Sequence, residues 1–318
     1  MRRVSSISRF RSIGTLALTA LTVCALAACT TADSGAVPAA NPTVNAAYPE
    51  LKQYPEVTVE RDVSYRTIDG QTMKVDVCLP DGEANAPRAS IVSIHGGSWR
   101  SGSKSGIYWL SVCQWLASEG YVAFSVDYRL APQHPFPAAI TDLRAAVRWV
   151  RSARTVDRYD LDPARVGAFG GSAGGNLAAL LGTEGEGPLT TGSRVSAVAE
   201  LSGPSDLTRE GTELGGIDPT FEEVELDYLG CEDWTGCEHG RDASPIYQID
   251  RTDPPFFIGH SVDERIPLAQ SRALASLLRV NDVPVTLVSP EGTAHSIAML
   301  DDAMREQIIE FYRENLGP

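Results

Sequence analysis

The sequence predicts an α/β protein with a mostly parallel central sheet, helices on both faces and a cap or lid insertion. Three observations predict it. Ala89–His95 (ASIVSIH) is almost continuously apolar, as a strand covered on both faces must be. From about Tyr54 to Pro318, strand-like and helix-like segments alternate. An early hairpin gives way to repeated βα units, whose crossovers force later strands to run parallel.

The elements follow in chain order. Val57–Arg66 and Thr72–Leu79 alternate like half-buried strands, with Asp69-Gly70 turning between them. After Ala89–His95, Tyr108–Glu119 has helical spacing and stops at Gly120. Tyr121–Asp127 reads as a strand. Ala138–Ser152 places Ala139, Leu143, Val147 and Val150 on one helical face. Val166–Phe169 is a short strand, followed by a glycine-rich turn and an Ala/Leu helix to Leu181. The strand Val195–Leu201, the strand Phe256–Gly259, a helix near Leu268–Val280, the strand Val283–Val288 and a last helix near Ile297–Asn315 complete the pattern.

Residues 207–246 break the alternation. They are glycine-rich, carry no clear strand, and hold ten acids and one base between Arg209 and Glu238. A long insertion between two strands is expected to be a lid that walls a substrate pocket. Cys231 and Cys237 flank a short loop within it and are expected to form a disulfide. Cys78 and Cys113, on a strand and a helix, either pair or remain buried thiols.

Composition limits the partners. The formal net charge is −14, and residues 1–28 hold four arginines and no acid, leaving 23 basic residues against 41 acidic ones. Such a surface repels phosphate backbones, which excludes nucleic acid as an expected partner. Neither the Cys nor the His spacing suits a metal. Oligomeric state is not readable from the sequence.

The N-terminus reads as an export signal. Met1–Ser12 is basic and Ile13–Ala28 is an apolar run, short for a bilayer-spanning helix and suited to a signal peptide. Residues 29–53, rich in Ala, Thr, Asn and Pro, read as a disordered tether. That leaves residues 54–318 as one catalytic domain.

Two motifs carry chemistry. Gly170-Gly171-Ser172-Ala173-Gly174 fits G-x-S-x-G between a strand and a helix, the context in which that pattern makes a nucleophile elbow. The turn is tight enough to need glycine on both sides of Ser172, and it aims the Ala173 N–H at the point where negative charge develops. His95-Gly96-Gly97-Ser98-Trp99 follows a buried strand. Gly96, Gly97 and Ala173 are therefore the expected oxyanion donors, with His95 bracing its loop. A serine nucleophile needs a base and an acid to orient it. In the chain order of such sites the base comes last, which selects His295. Asp263, just past the strand Phe256–Gly259, is the expected acid, with Glu264 in reserve. His134 and His260 are expected to be structural and His239 solvated.

These residues resemble a known family. HGGSW, the DYRLAP run (Asp127–Pro132), the GGSAGG elbow and the late Asp263/His295 pair are similar to α/β-hydrolase-fold carboxylesterases, in particular the hormone-sensitive-lipase-like enzymes and the bacterial group named after feruloyl esterases. The resemblance implies a serine carboxylesterase that needs no cofactor, and the acidic insertion points to small or soluble substrates. It implies Ser172, Asp263 and His295 as triad, and Asp127 and Arg129 as braces. The chain departs from the pattern in three places. Ser98 replaces the third glycine of HGGG, Gly171 replaces the acid of GDSAGG, and Asp263 stands one residue closer to His260 than in HGxxD. HGG-x-W also occurs in kynurenine-formamidase-like hydrolases, which leaves an amidase or peptidase as the alternative, and a non-catalytic surface-binding lipoprotein as the alternative of another class. Leu26-Ala27-Ala28-Cys29 resembles the lipobox of bacterial lipoproteins, which implies lipid on Cys29 and a place on the outer face of the bacterial cell membrane.

Overall fold

The computed structural model describes Tyr48 and residues 51–82, 84–216 and 218–317. The expected signal peptide, Cys29 and most of the tether lie outside the described residues.

A hairpin opens the fold. β1 (Thr58–Ile68) and β2 (Gln71–Leu79) pair antiparallel, and Asp69 and Gly70 turn between them with φ of 49° and 78°. Both values are positive, as a two-residue hairpin turn requires, and aspartate and glycine tolerate them best. The chain then winds through β3 (Arg88–Ile94), α1 (Ile107–Ser118), β4 (Val122–Val126), α2 (Ala138–Val150), α3 (Ala153–Tyr159), β5 (Leu161–Gly171), α4 (Ala173–Thr183) and β6 (Ala197–Leu201). The insertion supplies α5 (Arg209–Glu213), α6 (Pro219–Leu229) and α7 (His239–Asp242). β7 (Phe256–Gly259), α8 (Leu268–Val280), β8 (Val285–Val288) and α9 (Asp302–Leu316) close the domain.

The strands form one eight-stranded sheet in the order β1-β2-β4-β3-β5-β6-β7-β8, parallel from β4 to β8. This is the α/β-hydrolase fold. Two apolar layers cover the sheet. α1 and α9 bury Trp115, Leu116, Ile308 and Tyr312 against one face, while α2, α4 and α8 bury Leu143, Leu177 and Leu274 against the other. Every residue of β4 and β6 is buried, as strands with helices on both sides must be.

Three boundaries differ from expectation. β5 extends well beyond Val166–Phe169, because the parallel ladder with β3 begins at Leu161. The helix expected over Ala138–Ser152 ends at Val150. Ser152 accepts the Thr155 N–H and caps a separate α3, which stops at Asp160 in the left-handed region (φ 50°). The last helix is divided into a 3₁₀ turn, Ser296–Met299, and α9, whose N-cap Asp301 accepts the Met304 N–H at 2.8 Å.

Both cysteine pairs form disulfides. Cys78–Cys113 joins β2 to α1, and Cys231–Cys237 closes the loop after α6. The insertion is tied at its root: Leu207 N–H donates to Ser244 Oγ at 2.6 Å, and Ile246 N–H to Ser205 O at 3.3 Å. Its acids are not all solvated. Glu225 is buried, accepts the Thr212 hydroxyl at 2.7 Å, and is pushed up to about 8 by desolvation.

Candidate active site

The candidate residues stand at the carboxyl ends of the parallel strands. β5 ends at Gly171 and α4 begins at Ala173, so Ser172 stands at the corner with φ 58° and ψ −126°. The glycines around it are a steric necessity. A Cβ on Gly170 would lie 2.0 Å from Gly174 O, and one on Gly174 would lie 2.2 Å from Ile94 O. The Ala173 N–H belongs to the first turn of α4, where no intrahelical acceptor exists, and it carries the positive end of the helix dipole.

The loop after β3 lies against this corner. A Cβ on Gly96 would meet Gly171 O at 2.8 Å and Ser172 Cβ at 3.3 Å, so only glycine lets the two backbones come this close. Gly97, Ser98 and Trp99 have positive φ, and the Arg100 and Ser101 N–H groups both donate to Gly97 O at 3.1 and 3.0 Å. That turn consumes the Gly97 carbonyl and fixes the peptide planes on either side of it. Gly96 thus lies against Gly171 and Ser172, with Gly97 next to it in the loop and Ala173 next to Ser172 in the chain.

His95 braces this loop. Its Nδ1 faces Gly96 O at 2.8 Å, and since a carbonyl only accepts, Nδ1 carries the proton. The ring stacks on Tyr128 at 4.3 Å, and the Tyr128 hydroxyl donates to His95 O at 2.8 Å. Burial pushes the imidazole down to about 4, so it stays neutral. Asp127 Oδ1 accepts the Lys104 N–H at 2.8 Å, and Arg129 pairs in two places with buried Asp142, at 2.8 and 3.0 Å.

The carboxylate that meets His295 differs from expectation. His295 Nδ1 is hydrogen-bonded to Glu264 Oε2, not to Asp263. The Val262 and Asp263 N–H groups donate to Pro290 O and Gly292 O, both at 3.0 Å. That pairing leaves Asp263 exposed, while the neighbouring Glu264 carboxylate is fully buried. Glu264 Oε1 accepts the Ser202 hydroxyl and lies 3.2 Å from His260 Nε2. His260 Nε2 also faces Ile266 O at 2.8 Å, which requires the proton on Nε2. Nδ1 then accepts the Ser271 hydroxyl at 2.7 Å. Burial is the main influence on His260 and lowers its pKa.

The loop carrying His295 reaches the Ser172 corner. Ser296 follows His295, and its Oγ lies 2.1 Å from where a Cβ on Gly171 would stand. Ser296 N–H donates to Ser202 Oγ at 2.9 Å, and Ser172 N–H donates to Leu201 O at 2.7 Å. Ser172, His295 and Glu264 are therefore held by one connected set of bonds. Glu200, in β6, is buried, accepts the Gly203 N–H at 2.7 Å and is pushed up to about 8, mainly by desolvation.

Asp263 is the acid the sequence pattern favours, and nothing in that pattern marks Ser202. A signal for Glu264 was present, because it stands four residues after His260, the same interval that separates histidine from acid in HGxxD. His239 is exposed on the insertion, as expected.

The family model BD-FAE matches residues 75–278. Esterase LipC of Mycobacterium tuberculosis is 32% identical over 74% of this chain and 59% of its own length. Probable carboxylic ester hydrolase LipM of the same organism is 27% identical over 80% of this chain and 59% of its own. The chain thus spans about three fifths of the length of these curated relatives. Among solved structures, esterase 2 of Thermogutta terrifontis phosphonylated by sarin is 27% identical with a TM-score of 0.67, covering 84% of this chain and 98% of that one. The same esterase has been solved with propionate and with butyrate bound. With its match extending from β2 into α8, the chain belongs to the BD-FAE family.

Proposed function

We propose that the chain hydrolyses carboxylic esters of small, soluble substrates through an acyl-enzyme, with Ser172 as nucleophile, His295 as base and Glu264 as the orienting acid. The observation that carries this reading is the His295–Glu264 hydrogen bond in a loop whose next residue abuts Gly171, beside Ser172. Glu264 accepts from Nδ1, so Nε2 of the neutral ring is free of its proton and suited to take one from Ser172 Oγ. Oγ then bonds to the ester carbonyl carbon, and the oxyanion accepts from the Gly96, Gly97 and Ala173 N–H groups. Collapse breaks the carbon–oxygen bond to the alcohol, which leaves with the proton returned by His295. A water repeats the sequence on the acyl-enzyme and releases the acid.

Short acyl groups suit this site. The related esterase binds propionate and butyrate, and in this chain Trp99, Phe221 and Tyr228 fill the space beside the oxyanion loop with packed rings. The acidic insertion also disfavours an apolar lipid interface. Ser172→Ala should reduce hydrolysis of p-nitrophenyl acetate to background and abolish labelling by a fluorophosphonate, while the wild-type protein prefers acetyl to butyryl esters over octanoyl and longer ones. Wild-type turnover by Ser172→Ala would end this reading.

We further propose that the protein is exported and held on the membrane by lipid on Cys29. Two disulfides in the catalytic domain support an oxidising compartment. Cys29→Ser should move the protein from the membrane fraction of its host to the soluble exported fraction; unchanged membrane retention would refute the anchor.

A further inference from the structure

The dipeptide Leu201-Ser202, where β6 leaves the sheet, bonds to the Ser172 corner, to the end of β7, to Glu264 and to the residue after His295. Leu201 O accepts the N–H of Ser172 at 2.7 Å. Ser202 N–H donates to Gly259 O at 2.9 Å, at the end of the strand that launches the acid loop. Ser202 Oγ does two further things. It donates its proton to Glu264 Oε1, and it accepts the N–H of Ser296, the residue after His295, at 2.9 Å. One hydroxyl thereby binds the acid and the backbone of the base loop at once.

Ser202 is fully buried, with φ 55°. Positive φ is unfavourable for any residue with a Cβ, and glycine would relieve it. Serine at this position is therefore the less stable choice for the backbone, and a strained buried residue in a site invites a functional explanation. The hydroxyl supplies one. Glu264 has two acceptor oxygens. Oε2 holds His295, and Oε1 would be left with only the longer 3.2 Å contact to His260 if Ser202 lacked its hydroxyl. The carboxylate could then rotate away from His295, and the Ser296 N–H would lose its acceptor.

From this geometry we infer that Ser202 is a positioning residue for hydrolysis, its hydroxyl fixing the acid and base loops in the register that aims His295 at Ser172. The inference rests on the triad reading given above and goes beyond it. Ser202 touches no reacting atom. It acts only by keeping Glu264 and His295 in place, and a misalignment of a fraction of an ångström at such a site costs rate rather than binding.

Ser202→Gly is the test, because it removes the hydroxyl and relieves the strained backbone together. With p-nitrophenyl acetate the variant should lose about tenfold or more in kcat with KM within about twofold. It should melt within a few degrees of the wild type. Ser202→Ala, which keeps the strain, should lose kcat to a similar extent and melt lower. Labelling of Ser202→Gly by a fluorophosphonate should be slowed in parallel with kcat yet reach one label per chain. Wild-type kcat in Ser202→Gly overturns the inference, and so does a loss confined to KM. Ser172→Ala separates the two readings: if it is inert and Ser202→Gly is fully active, the triad stands and only the role of Ser202 falls. If Ser172→Ala stays active, the triad reading itself has failed.

Discussion

The loops at the carboxyl ends of the strands and the insertion after β6 are built on different principles. In the strand-end loops, backbone atoms do most of the holding: glycines packed against carbonyls, the Ser172 N–H on Leu201 O, the Asp263 N–H on Gly292 O. The insertion, beyond backbone bonds such as the Phe136 N–H on Tyr228 O at 2.7 Å, is also held by side chains reaching across the fold. Tyr228 stacks on Trp99 at 4.4 Å, Arg100 donates to Glu223 O at 2.8 Å and pairs with Asp227, and Gln270 Nε2 donates to Gly211 O at 2.7 Å. The first region has little freedom to change without losing chemistry. The second can exchange one packed side chain for another, so the loss of a contact there should appear as stability and substrate preference.

The largest effect that could break this contrast lies in the strand-end loops. Glu264→Gln keeps the shape of the acid and removes its charge. It should lower kcat by roughly 10³-fold or more, as expected when a triad acid no longer sets the tautomer of its histidine. Asp263→Asn, one residue away and exposed, should stay within about twofold of wild type. Steady-state kinetics on a single ester checks both, and a reversal of the two would restore Asp263 as the acid.

A smaller effect is expected in the insertion. Tyr228→Ala empties a buried aromatic position and should cost about 3 kcal/mol or more in denaturant unfolding, with acyl-chain preference shifted toward longer esters. The smallest effect sharpens the same point. The Tyr228 hydroxyl is buried without a partner among the described residues. Tyr228→Phe should therefore leave kcat unchanged and stabilise by about 1 kcal/mol. A stability loss in Tyr228→Phe would mean that the hydroxyl has a partner in solution.

The same contrast explains what could be read from the sequence. β7 and α8 were expected over the residues where they are found, because a run of buried apolar residues and a 3.6-residue period are local signals. The elbow was legible for a related reason, since steric need for glycine shows in the residues themselves. Asp263 and Glu264 are adjacent carboxylates of similar chemistry. Which of them turns inward is decided by pairing with Pro290 and Gly292, almost thirty residues on, and no local pattern records that. Ser202 is still less visible, because a lone serine after a strand is common and its two partners come from distant loops. In the insertion the excess of acids was legible, but the burial of Glu225 was not, because it depends on Thr212 and on how α6 docks.

The Cys78–Cys113 bridge carries a practical consequence. It fastens α1 to the sheet, and α1 also carries Trp109, whose ring would be 3.4 Å from a Cβ on Gly171. The packing behind Ser172 is thus linked to the oxidation state of a cysteine pair on α1 and β2. Two preparations of identical sequence, one matured under oxidising conditions and one recovered from a reducing cytoplasm, are chemically different molecules. Thiol content belongs beside specific activity when batches are compared.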